Sequence, residues 1–318
     1  EGLLIVDDRT DILSYNKSAL KLFHASAASI NQSVLTLNRS ENFRKAVDLS
    51  LAGQHNEQTM TLRGRFYQLI SNPVYEKGLV VGAVILILDV TEKEEREKLR
   101  REFTANVSHE LKTPLTSISG YAEIIKNGIA KTEDVSKFAS SIYDESQRLI
   151  SLIEDIIKLS RLDENTAVFE KRQLDLSTII TDVIKRLKAK ADEKNISVEM
   201  NLQNAEVRGV YQILDEMIYN ICDNAIKYNN ENGKVIINLE KNYSGTLLEI
   251  KDTGIGIPAV DTERVFERFY RVEKSHSKEI SGTGLGLSIV KHAAAYHNAK
   301  VTLESALGKG TTIKVQFK

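Results

Sequence analysis

The chain has 318 residues, enough for two or three domains, and its 42% hydrophobic and 27% charged residues are ordinary for a globular protein. A formal net charge of -1 excludes a strong overall field toward nucleic acid or an anionic membrane surface. The single cysteine, Cys222, excludes an intrachain disulfide and fits a reducing compartment.

No membrane span is expected. The longest apolar run, residues 79–88, is much shorter than the roughly 20 residues that cross a bilayer. It is rich in Val and Ile, which predicts a buried strand. The chain begins at Glu1 in a strand-like stretch without a methionine, so we expect a fragment whose upstream part is missing.

Residues 1–90 are predicted to form a mixed α and β domain. The expected elements are strands at residues 2–6 and 12–15, a helix at 17–23, a hairpin of strands 58–62 and 66–72 around Arg63-Gly64-Arg65, and a last strand at 79–90. Two strands, helices and three antiparallel strands in this order resemble a PAS sensor domain.

Residues 91–162 are predicted to form two long helices. Thr91 is expected to cap the first, with Glu94 completing a capping box. Apolar residues then recur every three or four positions until Asn127-Gly128 ends the helix, and a second apolar seam covers residues 133–162. One hairpin buries both seams poorly, so we predict pairing with a second copy into a four-helix bundle.

Residues 163–318 are predicted to form an α/β sandwich. The expected elements are helices at residues 176–194, 211–228 and 285–297 and strands at 197–202, 206–209, 234–240, 246–251, 300–305 and 311–317.

His109 is the first candidate for chemistry. It lies roughly opposite the apolar stripe of its helix and is expected to face solvent, where a lone histidine usually has no function. Glu110 is placed to accept the proton of one ring nitrogen, which makes the other a better nucleophile. Thr113 lies one turn away, near enough to position a water. Pro114 cannot donate to the carbonyl of Glu110, so we expect the helix to bend here.

A second candidate is the polar face formed by Glu216, Asn220 and Asn224, which follow one another at intervals of four. Asn is a poor helix former, so two on one face are unusual, although an ordinary polar face remains the alternative. An amide oxygen suits Mg²⁺, and Lys227 is a point charge for a phosphate. Cys222 in the same helix is interpreted as core packing.

Two glycine-rich stretches are further candidates. Asp252 follows a predicted strand and opens a Gly-containing turn, where a fixed carboxylate would accept a hydrogen bond from the adenine amine; an ordinary turn is the alternative. Residues 282–287 lead into a helix, and glycine backbone at a helix N-terminus makes an anion site. This stretch lacks the preceding strand of a dinucleotide fold and the ending of a P-loop. Residues 272–281 are polar and turn-prone and predict a mobile lid.

The order of these motifs resembles the sensor histidine kinases of two-component systems, and most of all the phosphate-responsive and cell-wall-responsive kinases of Gram-positive bacteria. The motifs are FTANVSHELKTPL at residues 103–115, EMIYNICDNAIKY at 216–228, DTGIGIP at 252–258, FERFYR at 266–271 and GTGLGL at 282–287.

The resemblance implies a role for each matching residue. His109 would be phosphorylated, Glu110 would be its general base, and Thr113 with Glu110 would support dephosphorylation of a partner response regulator. Asn224 would hold Mg²⁺, with Asn220 beside it. The implied ATP-binding residues are Lys227 and Arg271 at the phosphates, Tyr228 and Asp252 at the adenine, Gly254 and Gly256 where the base approaches, and Gly282, Thr283, Gly284, Leu285 and Gly286 at the lid and phosphate site.

Three loop positions depart from the family pattern. Val210-Tyr211 stands where an acidic residue is frequent, His297-Asn298-Ala299 replaces a commoner His-Gly-Gly, and Ser281 stands where glycine is frequent. None of these positions has an implied catalytic role, so we expect them to affect loop conformation.

We therefore predict an α+β multidomain protein with a PAS-like sensor domain over residues 1–90, a dimeric helical hairpin for histidine phosphotransfer over 91–162 and an α/β sandwich ATP-binding domain, of the type shared by histidine kinases and chaperone ATPases, over 163–318. Mg-ATP would phosphorylate His109, and the phosphoryl group would pass to an aspartate of a response regulator that the same protein also dephosphorylates.

The partners expected are a second copy of the chain and a response regulator, with no nucleic acid. This cytoplasmic fragment would reach the cell membrane only through a missing upstream segment. Two alternatives stay open: an ATPase of the chaperone and topoisomerase group that performs conformational work, and a regulatory scaffold with an inactive nucleotide site.

Overall fold

The computed structural model describes residues 1–24, 31–163, 170–272 and 282–318, without the side chains of residues 161–163. The chain divides into two compact units, Glu1–Ala105 and Asn106–Lys318. The domain boundaries predicted from the sequence stay predictions.

The first unit contains an antiparallel sheet and helices that cover it. Its elements are β1 (Gly2–Asp7), β2 (Ile12–Tyr15), α1 (Lys17–Phe23), a 3-10 turn (Val34–Thr36), α2 (Glu41–Leu51), β3 (Asn56–Leu62), β4 (Arg65–Glu76), β5 (Leu79–Asp89) and the start of α3 (Thr91–Lys126). The sheet has the order β2-β1-β5-β4-β3.

The core of this unit follows from the alternation of side chains along its strands. In β1, Leu4 and Val6 are buried while their neighbours are only partly covered, as expected for a strand with one face on the core. They pack with Phe43 of α2 and with the inward residues of β5. The predicted hairpin is confirmed, because Arg63 and Gly64 both have positive φ angles, of 52° and 78°, which the favoured two-residue hairpin turns require.

Helix α3 begins differently from the prediction. The hydroxyl of Thr91 does not cap it but bonds to the carbonyl of Phe66 (3.4 Å) and to the carboxylate of Asp89 (2.6 Å). Asp89 instead accepts from the backbone N–H of Thr91 at 3.0 Å. These hydrogen bonds from Thr91, first of all the one from its side chain, hold the pKa of Asp89 below its usual value. The predicted capping box was wrong, because the hydroxyl of Thr91 bonds at the strand end and the N–H of Glu94 donates to the carbonyl of Val90 at 2.9 Å.

The second unit contains the rest of α3, a further long helix and an α/β layer. Its elements are α4 (Thr132–Asp163), β6 (Arg172–Asp175), α5 (Leu176–Glu193), β7 (Ser197–Leu202), β8 (Glu206–Gly209), α6 (Tyr211–Lys227), β9 (Lys234–Asn242), β10 (Gly245–Asp252), a 3-10 turn (Arg264–Phe266), α7 (Gly286–Tyr296), β11 (Lys300–Ala306) and β12 (Gly310–Phe317).

The predicted α/β sandwich is confirmed. A five-stranded sheet has the order β11-β12-β10-β9-β7, in which β7 and β9 are parallel and the other pairs antiparallel. Its inward residues, such as Val235, Ile237 and Ile250, form one core with α5, α6 and α7. Strands β6 and β8 form a separate two-stranded sheet that the sequence pattern predicted only in part, since β6 was missed.

Helices α3 and α4 run antiparallel. Tyr121 of α3 stacks on Phe138 of α4 with ring centroids 5.5 Å apart, and Glu110 of α3 faces Arg148 of α4 at 3.8 Å. Leu152 and Leu159 are the buried apolar residues of α4, which packs against α7. The remaining apolar seam is open in a single chain: Leu115, Ile150, Ile153 and Ile157 keep 43–50% of their surface exposed.

His297, which precedes the departures Asn298 and Ala299, closes the end of α7. Its Nε2 accepts the backbone N–H of Val210 at 3.1 Å, and its Nδ1 lies 2.7 Å from the carbonyl of Ala293. The ring therefore carries its proton on Nδ1 and is neutral. Burial lowers the pKa of His297 below its usual value of 6.5.

This buried ring predicts an acid-sensitive fold. Because the pKa of His297 is lower in the folded chain, the unfolded chain binds the proton more readily. The neutral ring therefore makes its full contribution to the free energy of unfolding above about pH 6.5, and this contribution is lost as the pH falls below that value. We expect His297→Gln, whose amide does not titrate, to be less stable near about pH 7.5 but to lose less stability on going to about pH 5.5.

Urea unfolding of the full chain, followed by circular dichroism at both pH values, measures this difference. The exposed His109→Gln is the matched control and should keep the pH dependence of the wild type. An equal pH dependence in His297→Gln and the wild type would contradict the assignment.

Candidate functional site

A cavity of about 1390 Å³ opens in the second unit, larger than most small-molecule sites. Side chains of α4, α5 and α6 and both glycine-rich stretches form its walls. The predicted site residues in its lining are Asn220, Asn224, Lys227, Tyr228, Asp252, Gly256, Arg271, Gly282, Thr283, Gly284 and Gly286. Residues separated by more than sixty positions in the sequence thus meet at one site.

Helix α6 supplies the polar wall of the cavity because it is strongly amphipathic. Met217, Ile218, Ile221 and Cys222 lie in the core, which turns the asparagine face of the helix toward the cavity. Cys222 has no exposed surface, and burial raises the pKa of its thiol to about 12. The prediction that the cysteine packs in the core is confirmed.

Lys227 and Tyr228 lie at the end of α6 and line the cavity. Burial lowers the pKa of Lys227; Asp223 opposes this shift, and the nearby Arg271 adds to it. Burial also raises the pKa of Tyr228. Arg271 reaches the glycine stretch and donates to the carbonyl of Gly282 at 3.2 Å. Two cations therefore converge beside the same glycine segment, an arrangement suited to an anion.

Asp252 ends β10 and is buried, and the turn that follows it lies against the carbonyl of Tyr228, to which Ile255 donates its N–H at 3.1 Å. Its Oδ1 accepts the backbone N–H groups of Gly254 (2.8 Å) and Thr311 (3.2 Å). Burial raises the pKa of this carboxyl, and the two backbone hydrogen bonds oppose the shift. The carboxylate is thereby fixed in one orientation, and no described residue donates a hydrogen bond to Oδ2.

The two glycines after Asp252 have a packing function that the sequence did not reveal. A Cβ on Gly254 would collide with the carbonyl of Tyr228. A Cβ on Gly256, whose φ is +68°, would collide with the carbonyl of Ala306. Gly254 lies outside the cavity lining, and Gly256 lies in it. Both hold the turn against its neighbours and so set the position of Asp252.

The second glycine stretch leads into α7. Gly284, with φ +71°, packs on the backbone of Phe269 and accepts its N–H at 2.9 Å. Leu285 is fully buried and outside the cavity lining, and its N–H donates to the hydroxyl of Thr283 at 3.3 Å. Among the described residues, no side chain caps α7, which leaves its first N–H groups available at the cavity wall. The predicted lid over 272–281 lies outside the described residues except for Val272.

His109 lies on α3 and is not part of the cavity lining, nor are Glu110 and Thr113. Its side chain is 75% exposed, as expected, and Nδ1 lies 3.8 Å from Glu110 Oε1. Thr113 donates to the carbonyl of His109 at 3.2 Å. Pro114 lies inside the helix, so the carbonyl of Glu110 lacks a helical donor; the bend stays a prediction.

Comparison with known proteins identifies both parts of the second unit. The family profile of the His Kinase A (phospho-acceptor) domain matches residues 99–165, and that of the histidine kinase-, DNA gyrase B- and HSP90-like ATPases matches residues 209–318. A sensor protein kinase WalK of Staphylococcus aureus is 32% identical over 98% of this chain and 77% of its own length. The chain belongs to the sensor histidine kinases of two-component systems.

Several relatives of this histidine kinase are longer than the chain. WalK of S. aureus strain Newman is 33% identical over 98% of this chain but only 52% of that protein, so the chain spans about half the length of several relatives. The solved structure of the Acinetobacter baumannii histidine kinase AdeS matches 66% of this chain and 98% of its own, with a TM-score of 0.54 and 25% identity.

A structure of histidine kinase ThkA, in complex with response regulator protein TrrA, matches 99% of this chain and 95% of its own with a TM-score of 0.53. At 22% identity, this similarity shows that the two chains share a fold. In the described part of the chain, no helix is both long enough and apolar enough to span a membrane.

Two residues on α4 stand out among those of the histidine kinase cavity that sequence reasoning missed. Asp155 accepts the hydroxyl of Thr283 at 2.8 Å, and Lys158 donates to Glu216 at 3.0 Å. Burial raises the pKa of Asp155 even though the hydrogen bond from Thr283 opposes it. The only sequence signal was their spacing of three, which places them on one helix face; their partners lie 58 and 128 residues away and could not be deduced.

The turn after Asp252 predicts a large difference between two glycine substitutions. Gly256→Ala must adopt a left-handed φ and also displace the carbonyl of Ala306, whereas Gly308→Ala has a similar φ of +75° and open space around its Cβ. The left-handed backbone costs about 1–2 kcal/mol in both. We expect Gly256→Ala to lose at least about 2 kcal/mol more of the free energy of unfolding, since a buried clash adds to the strain.

Urea unfolding of both variants measures the difference. Equal losses would show that the turn does not need the close approach of Gly256 to Ala306.

Proposed function

We propose that this chain is an ATP-dependent protein histidine kinase that transfers the γ-phosphoryl group of ATP to His109. The observation that carries the proposal is the cavity of the second unit, where a fixed carboxylate, an asparagine face and two converging cations share one wall. An exposed histidine with an adjacent carboxylate lies on the helix matched by the phosphoacceptor profile.

The adenine of ATP would bind at the Asp252 end. Oδ1 is held by two backbone N–H groups, so Oδ2 is the atom left to accept from the exocyclic amine. An amine is what distinguishes adenine from guanine at this position, because guanine has a carbonyl there. Tyr228 contributes a half-buried ring to the same wall.

The phosphate groups would bind at the other end. Lys227 and Arg271 supply positive charge, and the first N–H groups of α7, with Gly282, Gly284 and Gly286, offer backbone donors. A bound anion would offset the burial that lowers the pKa of Lys227 and the repulsion from Arg271 that adds to this shift. The glycines leave space for the phosphate chain to approach the backbone.

A magnesium ion fits the same end. The described residues contain no group of three or more His, Cys, Asp or Glu side chains that could hold a metal by themselves. Mg²⁺ commonly uses one or two protein oxygens together with substrate phosphates and water, and the amide oxygens of Asn224 and Asn220 are donors of that kind. When bound, the ion would neutralise charge on the phosphates.

His109 would act as the nucleophile. A ring nitrogen forms a bond to the γ-phosphorus while the bond from that phosphorus to the bridging oxygen of ADP breaks, and ADP leaves. Glu110, 3.8 Å from Nδ1, would take up the proton that the other ring nitrogen releases. Because His109 is outside the cavity lining, this transfer requires α3 and the nucleotide to approach each other.

We further propose that phospho-His109 passes its phosphoryl group to an aspartate of a response regulator. Thr113, with Glu110, would support the opposing reaction, the dephosphorylation of that regulator. Both follow from family membership. The open seam on α3 and α4 supports a homodimer, since Leu115, Ile150, Ile153 and Ile157 are exposed in one chain.

The first unit would be a PAS-like sensor domain, because its order of two strands, helices and three antiparallel strands is the one that the sequence resemblance implied. We place the chain on the cytoplasmic side, in a longer protein anchored in the cell membrane. The greater length of relatives such as the WalK of strain Newman supports this proposal.

Replacement of the phosphoacceptor tests the transfer. After incubation with γ-labelled ATP and Mg²⁺, we expect an acid-labile, base-stable label on the wild type and none on His109→Gln, because no other residue is the nucleophile. The matched control is His55→Gln, which removes another exposed histidine and should keep the label. ATP turnover that His109→Gln leaves unchanged would instead favour an ATPase that performs conformational work.

Replacement of Asp252 tests the adenine contact. Asp252→Asn can keep the backbone bonds to one oxygen but presents an N–H₂ in place of Oδ2, so ATP affinity should fall roughly 10-fold or more. Asp261→Asn, the control, makes the same charge change elsewhere in the cavity wall and should bind ATP more nearly as the wild type does. Titration with a fluorescent ATP analogue measures both, and an unchanged affinity in Asp252→Asn would refute the contact.

A further inference from the structure

The amide of Asn220 is held in one orientation. Its Nδ2 donates to the carbonyl of Glu216 at 2.9 Å and to Glu216 Oε1 at 3.0 Å. Both amide hydrogens are thereby engaged. No described residue donates to the amide oxygen, which faces the first residue of α7, where a Cβ on Gly286 would lie only 2.8 Å away.

Glu216 is shared with α4. The same Oε1 atom that accepts from Asn220 also accepts from Lys158 Nζ at 3.0 Å. The two side chains of this ion pair are 24% and 40% exposed, for Glu216 and Lys158 respectively, and both line the cavity. A pair of this kind is partly shielded from solvent, so its charges act on nearby groups more strongly than those of a surface pair.

We propose that Glu216 is a positioning residue that turns the amide oxygen of Asn220 toward the magnesium ion, and that Lys158 of α4 sets how much negative charge Glu216 presents to that ion. The inference rests on the proposed function, since it assigns this magnesium ion to the asparagine face of α6.

Two consequences follow from the geometry. Without the carboxylate of Glu216, the Asn220 amide keeps only its bond to the backbone carbonyl of residue 216 and is held less firmly, and a flipped amide would present N–H groups to a cation. Without Lys158, Glu216 keeps its bond to Asn220 but loses its positive partner, so the site becomes more negative. Binding of the magnesium ion is therefore weaker while Lys158 of α4 contacts Glu216, and it becomes stronger when α4 moves away and this contact breaks.

A purely structural pair would behave differently. If Lys158 and Glu216 only held α4 against α6, their removal would lower stability and leave the magnesium dependence of nucleotide binding unchanged. The matched pair for this comparison is Lys234 of β9 and Glu199 of β7, whose charged groups lie 2.6 Å apart and neither of which lines the cavity. Lys234 is 38% exposed, close to the 40% of Lys158.

The experiment measures binding of a fluorescent ATP analogue to the full chain as Mg²⁺ is titrated. We expect Lys158→Met to lower the half-saturating Mg²⁺ concentration about 2- to 5-fold, as for the loss of a partly exposed charge. Glu216→Gln should raise it several-fold, and the double variant should match Glu216→Gln, because Lys158 acts through Glu216. Lys234→Met should titrate as the wild type does.

The proposal is overturned if Lys158→Met titrates as the wild type does, or if the effects of the two single changes simply add. A wild type that binds no nucleotide would instead refute the proposed function.

The side-chain amide signals of Asn220 in the metal-free protein, assigned with Asn220→Ser, give a second readout that needs neither nucleotide nor activity. Glu216→Leu should shift them strongly and Lys158→Met only slightly, and unshifted signals in a folded Glu216→Leu would also overturn the proposal.

Discussion

The burial of one face of α6 is the constraint on which the nucleotide site depends. Met217, Ile218, Ile221 and Cys222 fix the rotation of this helix in the core, and that rotation alone decides that Asn220, Asn224 and Glu216 face the cavity. Hydrophobic packing, which carries no chemical specificity, thus aims the polar groups that do. The glycines after Asp252 act in the same way, because their close contacts hold the carboxylate in place.

Most of the fold could be predicted because local patterns and tertiary packing agree. The asparagines of α6 recur at helical spacing, and Arg63-Gly64 is a turn that only one hairpin geometry accommodates. The failures have local causes. Thr91 is a residue type that often caps helices, but its hydroxyl bonds to the carbonyl of Phe66 on β4, 25 residues earlier in the chain. Such a contact between distant segments leaves no periodic signal in the sequence.

The same reason explains what was missed in the site. The motifs predicted the cavity walls that α6 and the glycine stretches contribute, but no motif predicted the wall that α4 contributes. Asp155 and Lys158 look like any polar pair on an amphipathic helix until Thr283 and Glu216 are seen opposite them. The sequence also placed Leu285 among the ligand contacts, while its side chain is in the core and only its neighbours reach the cavity.

The uncovered seam of α3 and α4 has a thermodynamic consequence. Ile150, Ile153 and Ile157 are exposed in one chain, so a second copy that covers them binds the folded helices and not the unfolded ones. Folding and association then become a single linked equilibrium. The melting temperature of the hairpin should depend on protein concentration, and dilution alone would loosen the helix that carries His109.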